Sequence, residues 1–288
     1  MGTILITGAT GNVGLEVIKK LIEKNSNHKV LAGVIDKPAR KSIIEKFDIA
    51  TIFFDFTNLQ SVTEALTLCD VLFLLRPPQL ADVKKYFAPI IHTAVEKKIR
   101  HIVFLSVQGA ESSRLIPHHK IEKLIIDSGI NYTFLRPAYF MQNFTTTLRK
   151  ELVEKNQIFL PAGNAKFTLI DVEDIGTVAA EILTNCGLHQ NKAYDLTNYE
   201  SLNFSEMAEI IGQELNKPIR FVSPSLFSFF IAKRREGFHP VFIFVMIMLH
   251  YFPRFKPAPN TSDGVEKITG LKPKTFREFV IANNGHLL

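Results

Sequence analysis

The sequence is poor in cysteine, in blocks of like charge and in long apolar runs, and each shortage closes off a class of protein. Its two cysteines, Cys69 and Cys186, stand far apart without a C-x-x-C partner. That leaves neither a disulfide framework nor a zinc site, and a reducing cytoplasm is the expected location. The longest uninterrupted apolar run, residues 241–249, falls far short of the roughly 20 residues that a membrane-spanning helix requires. Lys and Arg number 34 against 28 Asp and Glu, a net charge of +6. The cations are dispersed, so a nucleic-acid partner is not expected. No internal repeat or low-complexity segment interrupts the chain. Residues 3–7 read as a strand at once, with no basic stretch before them, which predicts that no signal peptide precedes the fold.

What remains is ordinary globular composition, 46% hydrophobic and 22% charged over 288 residues. Such a chain folds around a core, and its length favours one α/β domain carrying a subsidiary lobe. Short apolar runs at 3–7, 29–35, 50–54, 71–75, 101–106 and 132–135 alternate with amphipathic stretches at 15–22, 59–68, 83–95 and 121–126. In the first stretch Leu15, Ile18, Leu21 and Ile22 share a helical face. Strand-helix alternation predicts a doubly wound parallel sheet of the Rossmann-like kind. A sheet covered on both faces accounts for strands of almost continuous Ile, Leu, Val and Phe. Beyond Pro137 the pattern loosens. Pro161, Ala162 and Gly163 form a turn, 167–170 a short strand, and 172–183 a helix that returns to the main sheet. A further helix over 205–215 starts at an N-cap Ser205 and closes before Pro218.

The first strand runs directly into Gly8-Ala9-Thr10-Gly11-Asn12-Val13-Gly14, and a helix follows. Strand, glycine turn and helix in that order form a pyrophosphate cradle. Gly8 permits the tight turn, Gly11 keeps a Cβ out of the contact, and Gly14 lets helix and strand pack. Backbone N–H groups near Thr10, Asn12 and Val13 then point at the phosphate, where the helix dipole adds favourable field. The spacing G-x-x-G-x-x-G is one residue wider than the simplest dinucleotide fingerprint. Asp36, 22 residues beyond Gly14, suits ribose hydroxyls, whereas Lys37, Arg40 and Lys41 suit a 2′-phosphate. Both NADP(H) and NAD(H) therefore stay open. Asp55, after the third strand, is a candidate adenine-edge contact or a plain strand-end carboxylate. The expected division is a dinucleotide-binding domain over 1–197 and a smaller α+β lobe over 198–288, interleaved with parts of 138–170, that covers the substrate.

The glycine segment, Ser106, the run His118-His-Lys-Ile-Glu122 and the run Ser128-Gly-Ile-Asn-Tyr-Thr-Phe-Leu-Arg-Pro137 together resemble the NmrA-like atypical short-chain dehydrogenases/reductases. Residues 204–211 and 270–280 extend the likeness over nearly the whole chain. It points to the branch of NAD(P)H:quinone oxidoreductases and triarylmethane dye reductases. The resemblance implies a cytoplasmic NAD(P)H-dependent reductase of quinones or related conjugated acceptors, with NADP(H) favoured. Relatives that act as redox sensors imply the alternative, a non-catalytic NAD(P)-binding regulator working through a protein partner. One departure stands out. The Tyr-x-x-x-Lys pair of ordinary members, in which lysine helps tyrosine donate a proton, is replaced by Arg114 and His118. An epimerase, which needs that pair, is disfavoured, while a quinone, whose oxygens accept protons easily, tolerates the loss.

The catalytic candidates are His118, Glu122, Ser106 and Tyr139. His118 and Glu122 lie four residues apart on one helix face, which predicts a hydrogen-bonded pair, catalytic or structural, with His119 as its solvated neighbour. Ser106 ends a parallel strand, where open α/β sheets bind ligands, though a serine there is also common turn chemistry. Tyr139, with Phe140, Asn143 and Phe144, walls a flat aromatic acceptor or belongs to the core. Arg76 ends the fourth strand and contacts a phosphate, contacts a substrate anion, or caps its own loop. Residues 226–231 and 241–249 carry too many large apolar groups for water exposure. With Lys233, Arg234 and Arg235 between them they read as a lid, a helical core, or a peripheral membrane contact. No metal site is expected, and the chain is a monomer or homodimer.

Overall fold

The computed structural model describes residues 2–35, 46–114 and 116–287. They fall into two compact units, the first comprising Met1–Pro137, Val172–Leu196 and Gly264–Leu271, the second Ala138–Asp171, Thr197–Asp263 and Lys272–Leu288.

The first unit is built on strands β1 (Thr3–Ile6), β2 (Lys29–Val34), β3 (Ala50–Phe53), β4 (Val71–Leu75), β5 (His101–Leu105), β6 (Asn131–Pro137) and the late β10 (Lys192–Leu196). They form a seven-stranded sheet in the order β10-β6-β5-β4-β1-β2-β3, parallel throughout. Parallel neighbours need crossovers, and helices α1 (Asn12–Glu23), α2 (Leu59–Thr67), α3 (Val83–Glu96), α4 (Pro117–Asp127) and α6 (Val172–Thr184) provide the covering layers. Successive strand residues point to opposite faces. Leu5, Leu72, Leu74, Ile102 and Phe104 share one core cluster with α2, α3 and α4. Their neighbours Ile4, Ile6, Phe73 and Val103 are buried on the other face, where α1 and α6 pack together. A Cβ on Gly176 of α6 would lie 3.1 Å from the Glu16 backbone, so glycine permits that close approach. The strand sequence turns back between β1 and β4, which makes their carboxyl ends the topological switch point of the sheet.

In the second unit β7 (Tyr139–Phe140), β9 (Lys166–Ile170) and β11 (Ser201–Asn203) form one small sheet, and β8 (Gln157–Phe159) pairs with β12 (Arg220–Val222). Helices α5 (Arg149–Lys155), α7 (Phe204–Leu215), α8 (Leu226–Arg235), α9 (Pro240–Tyr251), α11 (Phe276–Ala282) and α12 (Asn284–Leu287) surround them; α10 (Gly264–Thr269) belongs to the first unit. Its core is aromatic, with Phe144, Phe204, Phe229, Phe276 and Phe279 all buried. The cap of α7 is Asn203 and not Ser205. Asn203 accepts from the Glu206 N–H while Glu206 returns a bond to the Asn203 N–H, and this reciprocal box satisfies two orphan donors where Ser205 would satisfy one. Lys233, which only the membrane-contact reading set on a basic surface with Arg234 and Arg235, is fully buried between Glu236 at 2.8 Å and Glu151 at 3.5 Å. The apolar groups of α8 and α9 also depart from expectation, because Phe227, Val241, Phe244, Met248 and Leu249 are exposed. Each helix is apolar on more than one face, and the core takes only one.

Candidate functional site

The glycine turn leaves β1 at the switch point, and its three glycines have separate duties. Gly8 has φ +59°, the left-handed region that a side chain disfavours, and the Leu75 side chain fills the space a Cβ would need. At Gly14 a Cβ would sit 2.3 Å from the Gly8 carbonyl oxygen, so that position is closed to any other residue without a backbone shift. Gly11 is different. Its Cβ would meet only the Gly8 carbonyl, at 3.3 Å, and the residue faces outward as the N-cap of α1. No side chain caps this helix, and its first turn holds no acid. The first rung of the ladder is Leu15 N–H to Gly11 O, 2.9 Å. The N–H groups of Asn12, Val13 and Gly14 therefore lack an intrahelical acceptor. Backbone donors without an intrahelical acceptor, a positive dipole end and no acid in the first turn fit a pyrophosphate. Thr7, which the sequence did not single out, ties the switch point together. Its hydroxyl donates to Phe73 O at 2.9 Å and accepts from Leu75 N–H at 3.1 Å.

At the carboxyl ends of β5 and β6 a polar network is buried. The Ser106 hydroxyl donates to Glu122 Oε1 at 2.6 Å. Arg136 grips the same carboxylate with both ends of its fork, Nε to Oε1 at 3.0 Å and Nη2 to Oε2 at 2.7 Å. Its Nη1 reaches Glu111 at 2.9 Å. Burial works against the Arg136 charge, but the hydrogen bond and charge of Glu122 outweigh it, and the pKa is raised. Ser106 and Glu122 are 2% and 4% exposed, so both groups turn into the seam between sheet and helix. Arg136 is the partner of Glu122 that the sequence did not single out. The signal was available, since a carboxylate on the buried face of a helix needs pairing and Arg136 lies at the carboxyl end of the strand beside β5.

The expected His118–Glu122 pair does not form. Four-residue spacing gives both a common face, yet Glu122 is engaged by a full guanidinium charge that a neutral imidazole cannot match. His118 instead accepts a long hydrogen bond, 3.4 Å, at Nε2 from Arg76 Nε. A guanidinium only donates, so Nε2 carries no proton and the neutral ring holds its hydrogen on Nδ1. Burial, reinforced by the Arg76 charge, pushes the His118 pKa down to about 3. Arg76 spends Nη1 on the carbonyls of Pro77, Pro78 and Leu80 at 3.0–3.2 Å, the loop-capping arrangement. His119 is not a free solvated neighbour, because its Nδ1–H donates to Ala110 O at 2.9 Å.

The remaining candidates are scattered. Asp55 Oδ1 accepts from the Thr57 N–H and hydroxyl, both at 2.8 Å, closing a local turn. Asp36 and Lys37, with Arg40 and Lys41, lie outside the described residues. Tyr139 belongs to the second unit, where its ring packs on Phe167 and Phe204. Its hydroxyl lies 3.1 Å from His250 Nε2. Because Met246 O can only accept, His250 donates to it from Nδ1 at 2.6 Å, and Nε2 must accept the tyrosine proton. Burial raises the Tyr139 pKa and lowers that of His250 to about 4, so the pair stays neutral. A groove of about 710 Å³ lined by Lys98, Arg100, His101 and Asn131 lies at the amino ends of β4 to β6, the opposite end of the sheet from the glycine turn.

Sheet order, switch point and glycine turn define a Rossmann-like α/β protein of the dinucleotide-binding type. Residues 1–255 match the NmrA-like family, and the chain belongs to it. It is 28% identical to prestalk A differentiation protein A of Dictyostelium discoideum, over 96% of this chain and 91% of that one. To the NAD(P)H azoreductase of Xenophilus azovorans it is 27% identical over 97% of each. Among solved structures, the NADPH complex of the quinone oxidoreductase QOR2 from Escherichia coli superposes with a TM-score of 0.83 at 23% identity, covering 96% of this chain and 98% of that one. The Citrobacter sp. triphenylmethane reductase with NADP(H) gives 0.82 at 23% identity, covering 98% and 99%. The fold expected from the sequence is thus the fold observed.

Proposed function

We propose that the chain is an NAD(P)H-dependent oxidoreductase that reduces quinones or related conjugated acceptors. The observation that carries this reading is the uncapped, acid-free start of α1 behind a turn whose Gly8 and Gly14 admit no side chain. Gly11, Asn12 and Val13 would hold the pyrophosphate there, with Thr10 beside them. Asp36, Lys37 and Asp55 would meet the ribose and adenine end. The azoreductase, the quinone oxidoreductase and the dye reductase support this class of activity, and the basic residues after Asp36 favour NADPH. The cofactor supplies the hydride when bound.

The chain's own groups then narrow the acceptor. Ser106 donates inward to Glu122, Glu122 is neutralised by Arg136, and His118 is neutral at any physiological pH. None of them is a proton donor of the Tyr-x-x-x-Lys kind. An acceptor that takes its protons from water, as a quinone does, needs none. His118 would offer a single Nδ1–H hydrogen bond that positions the acceptor, with Arg76 orienting the ring. Ser106, Glu122 and Arg136 would fix the helix that carries His118. The test follows nicotinamide absorbance with NADPH and NADH against a panel of quinones and azo dyes. Turnover with NADPH at least matching NADH is expected, and no turnover above the uncatalysed rate with any acceptor would sink the reading.

The same lack of an acid favours a second reading, a regulator that binds NAD(P) without turnover and passes its redox state to a protein partner. The Dictyostelium relative's name, a differentiation protein, supports it. Tight nucleotide binding without turnover in the same assay would select it.

A further inference from the structure

Helix α9, Pro240–Tyr251, carries two apolar stripes. Ile243, Met246 and His250 face inward and are buried, whereas Val241, Phe244, Met248 and, one turn on, Phe252 are 46–64% exposed. The spacing 241, 244, 248, 252 keeps these four on one line along the helix. A helix at a protein surface ordinarily turns charged residues to water; this outward stripe has none. The stripe continues onto neighbouring elements. Phe230 of α8 meets Phe244 edge to face at 6.2 Å, Phe227 is 75% exposed, and Phe255 of the turn Phe252–Phe255 is 69% exposed.

The charged residues that flank these helices in the sequence and are exposed are of one sign. Arg234 and Arg235 end α8, Arg254 and Lys256 follow α9, and all four are exposed. Between Gly237 and Ser262 the sequence holds no Asp or Glu. Glu236, the nearest acid, is turned onto buried Lys233. Exposed aromatic and aliphatic groups bordered by Arg and Lys form the pattern of an interfacial helix, whose apolar side enters the acyl boundary while the cations meet lipid phosphates. A second copy of the chain fits poorly. A two-fold contact uses the same patch on both subunits, so these cations would face a like-charged rim, with no Asp or Glu of 237–262 to meet them.

We propose that the outward face of α8 and α9 docks on the surface of a bilayer containing anionic lipid, lying in the interface without crossing it. Among the described residues no helix is long and apolar enough to span. The experiment floats the intact protein on vesicles of phosphatidylcholine with or without phosphatidylglycerol, at low and at high salt. Flotation is expected with the anionic vesicles, weakened by salt and by omitting phosphatidylglycerol. Val241→Glu/Met248→Glu and Arg235→Glu/Lys256→Glu should each weaken partitioning by about tenfold or more, with melting and nucleotide binding retained. Failure of the unaltered protein to float at low salt would overturn the proposal. So would equal flotation of the Val241/Met248 variant, which would reduce the effect to adsorption of a basic protein. A concentration-dependent dimer in light scattering, abolished by the same variant and unaccompanied by flotation, would assign the face to a second copy. Flotation needs no turnover, so its outcome is separate from that of the reductase reading.

Discussion

Arg136 holds Glu122 through two parallel hydrogen bonds of 3.0 and 2.7 Å at the carboxyl end of the parallel sheet. A strand residue thereby fixes the helix that carries His118. The carboxylate is 4% exposed, so removing its cation leaves a buried charge with the Ser106 hydroxyl to answer it. Arg136→Ala should cost about 3–5 kcal/mol of stability. Arg136→Lys should recover little of it, because a single ammonium cannot reproduce the planar fork. Urea denaturation measures both, and a lysine variant as stable as the parent would show that the fork is dispensable.

The glycines of the turn should separate by function. Gly14→Ala drives a Cβ against the Gly8 carbonyl and should destabilise the fold by about 1–3 kcal/mol, the usual cost of overpacking. Gly11→Val meets a single tight contact, the Gly8 carbonyl at 3.3 Å, so melting should fall less than in Gly14→Ala while NADPH affinity falls about tenfold or more. Calorimetric titration on both variants checks this, and undiminished binding by the Gly11 variant would displace the site from the turn.

His118→Ala now has a sharper expectation than its sequence allowed. Glu122 does not depend on the imidazole, so no buried carboxylate is stranded when the ring is removed. The variant should raise the acceptor KM or lower turnover while nucleotide affinity and melting temperature stay nearly unchanged. A destabilised protein with parental kinetics would assign His118 to the fold alone.

Acid should weaken the protein earlier than its carboxylates would. In the unfolded chain each imidazole takes up a proton near pH 6.5, whereas in the fold His101 and His250 stay neutral down to about 4 and His118 down to about 3, chiefly through burial. Between those values the unfolded state binds more protons. Stability present above pH 6.5 is therefore lost progressively as the pH falls towards the folded values. Melting temperature followed over this interval should decline from its upper end, and a flat profile down to about pH 4 would contradict the buried neutral state.

The sequence alone determined the layered sheet and the nucleotide turn, because both rest on short-range regularities. Continuous apolar strands, helices of period 3.6 and a glycine turn between the first strand and the first helix are written in neighbouring residues. Contacts distant in the sequence were decided by the tertiary structure. Glu122 prefers Arg136 to His118 because parallel pairing sets β5 and β6 side by side, a relation that helical spacing does not contain. The Tyr139–His250 bond spans 111 residues and exists only because α9 folds back over the small sheet. Hydrophobicity marked α9 as a segment that wants burial, but a helix apolar all round does not say which side the core will take. The core took Ile243, Met246 and His250, and that choice left Val241, Phe244 and Met248 facing out.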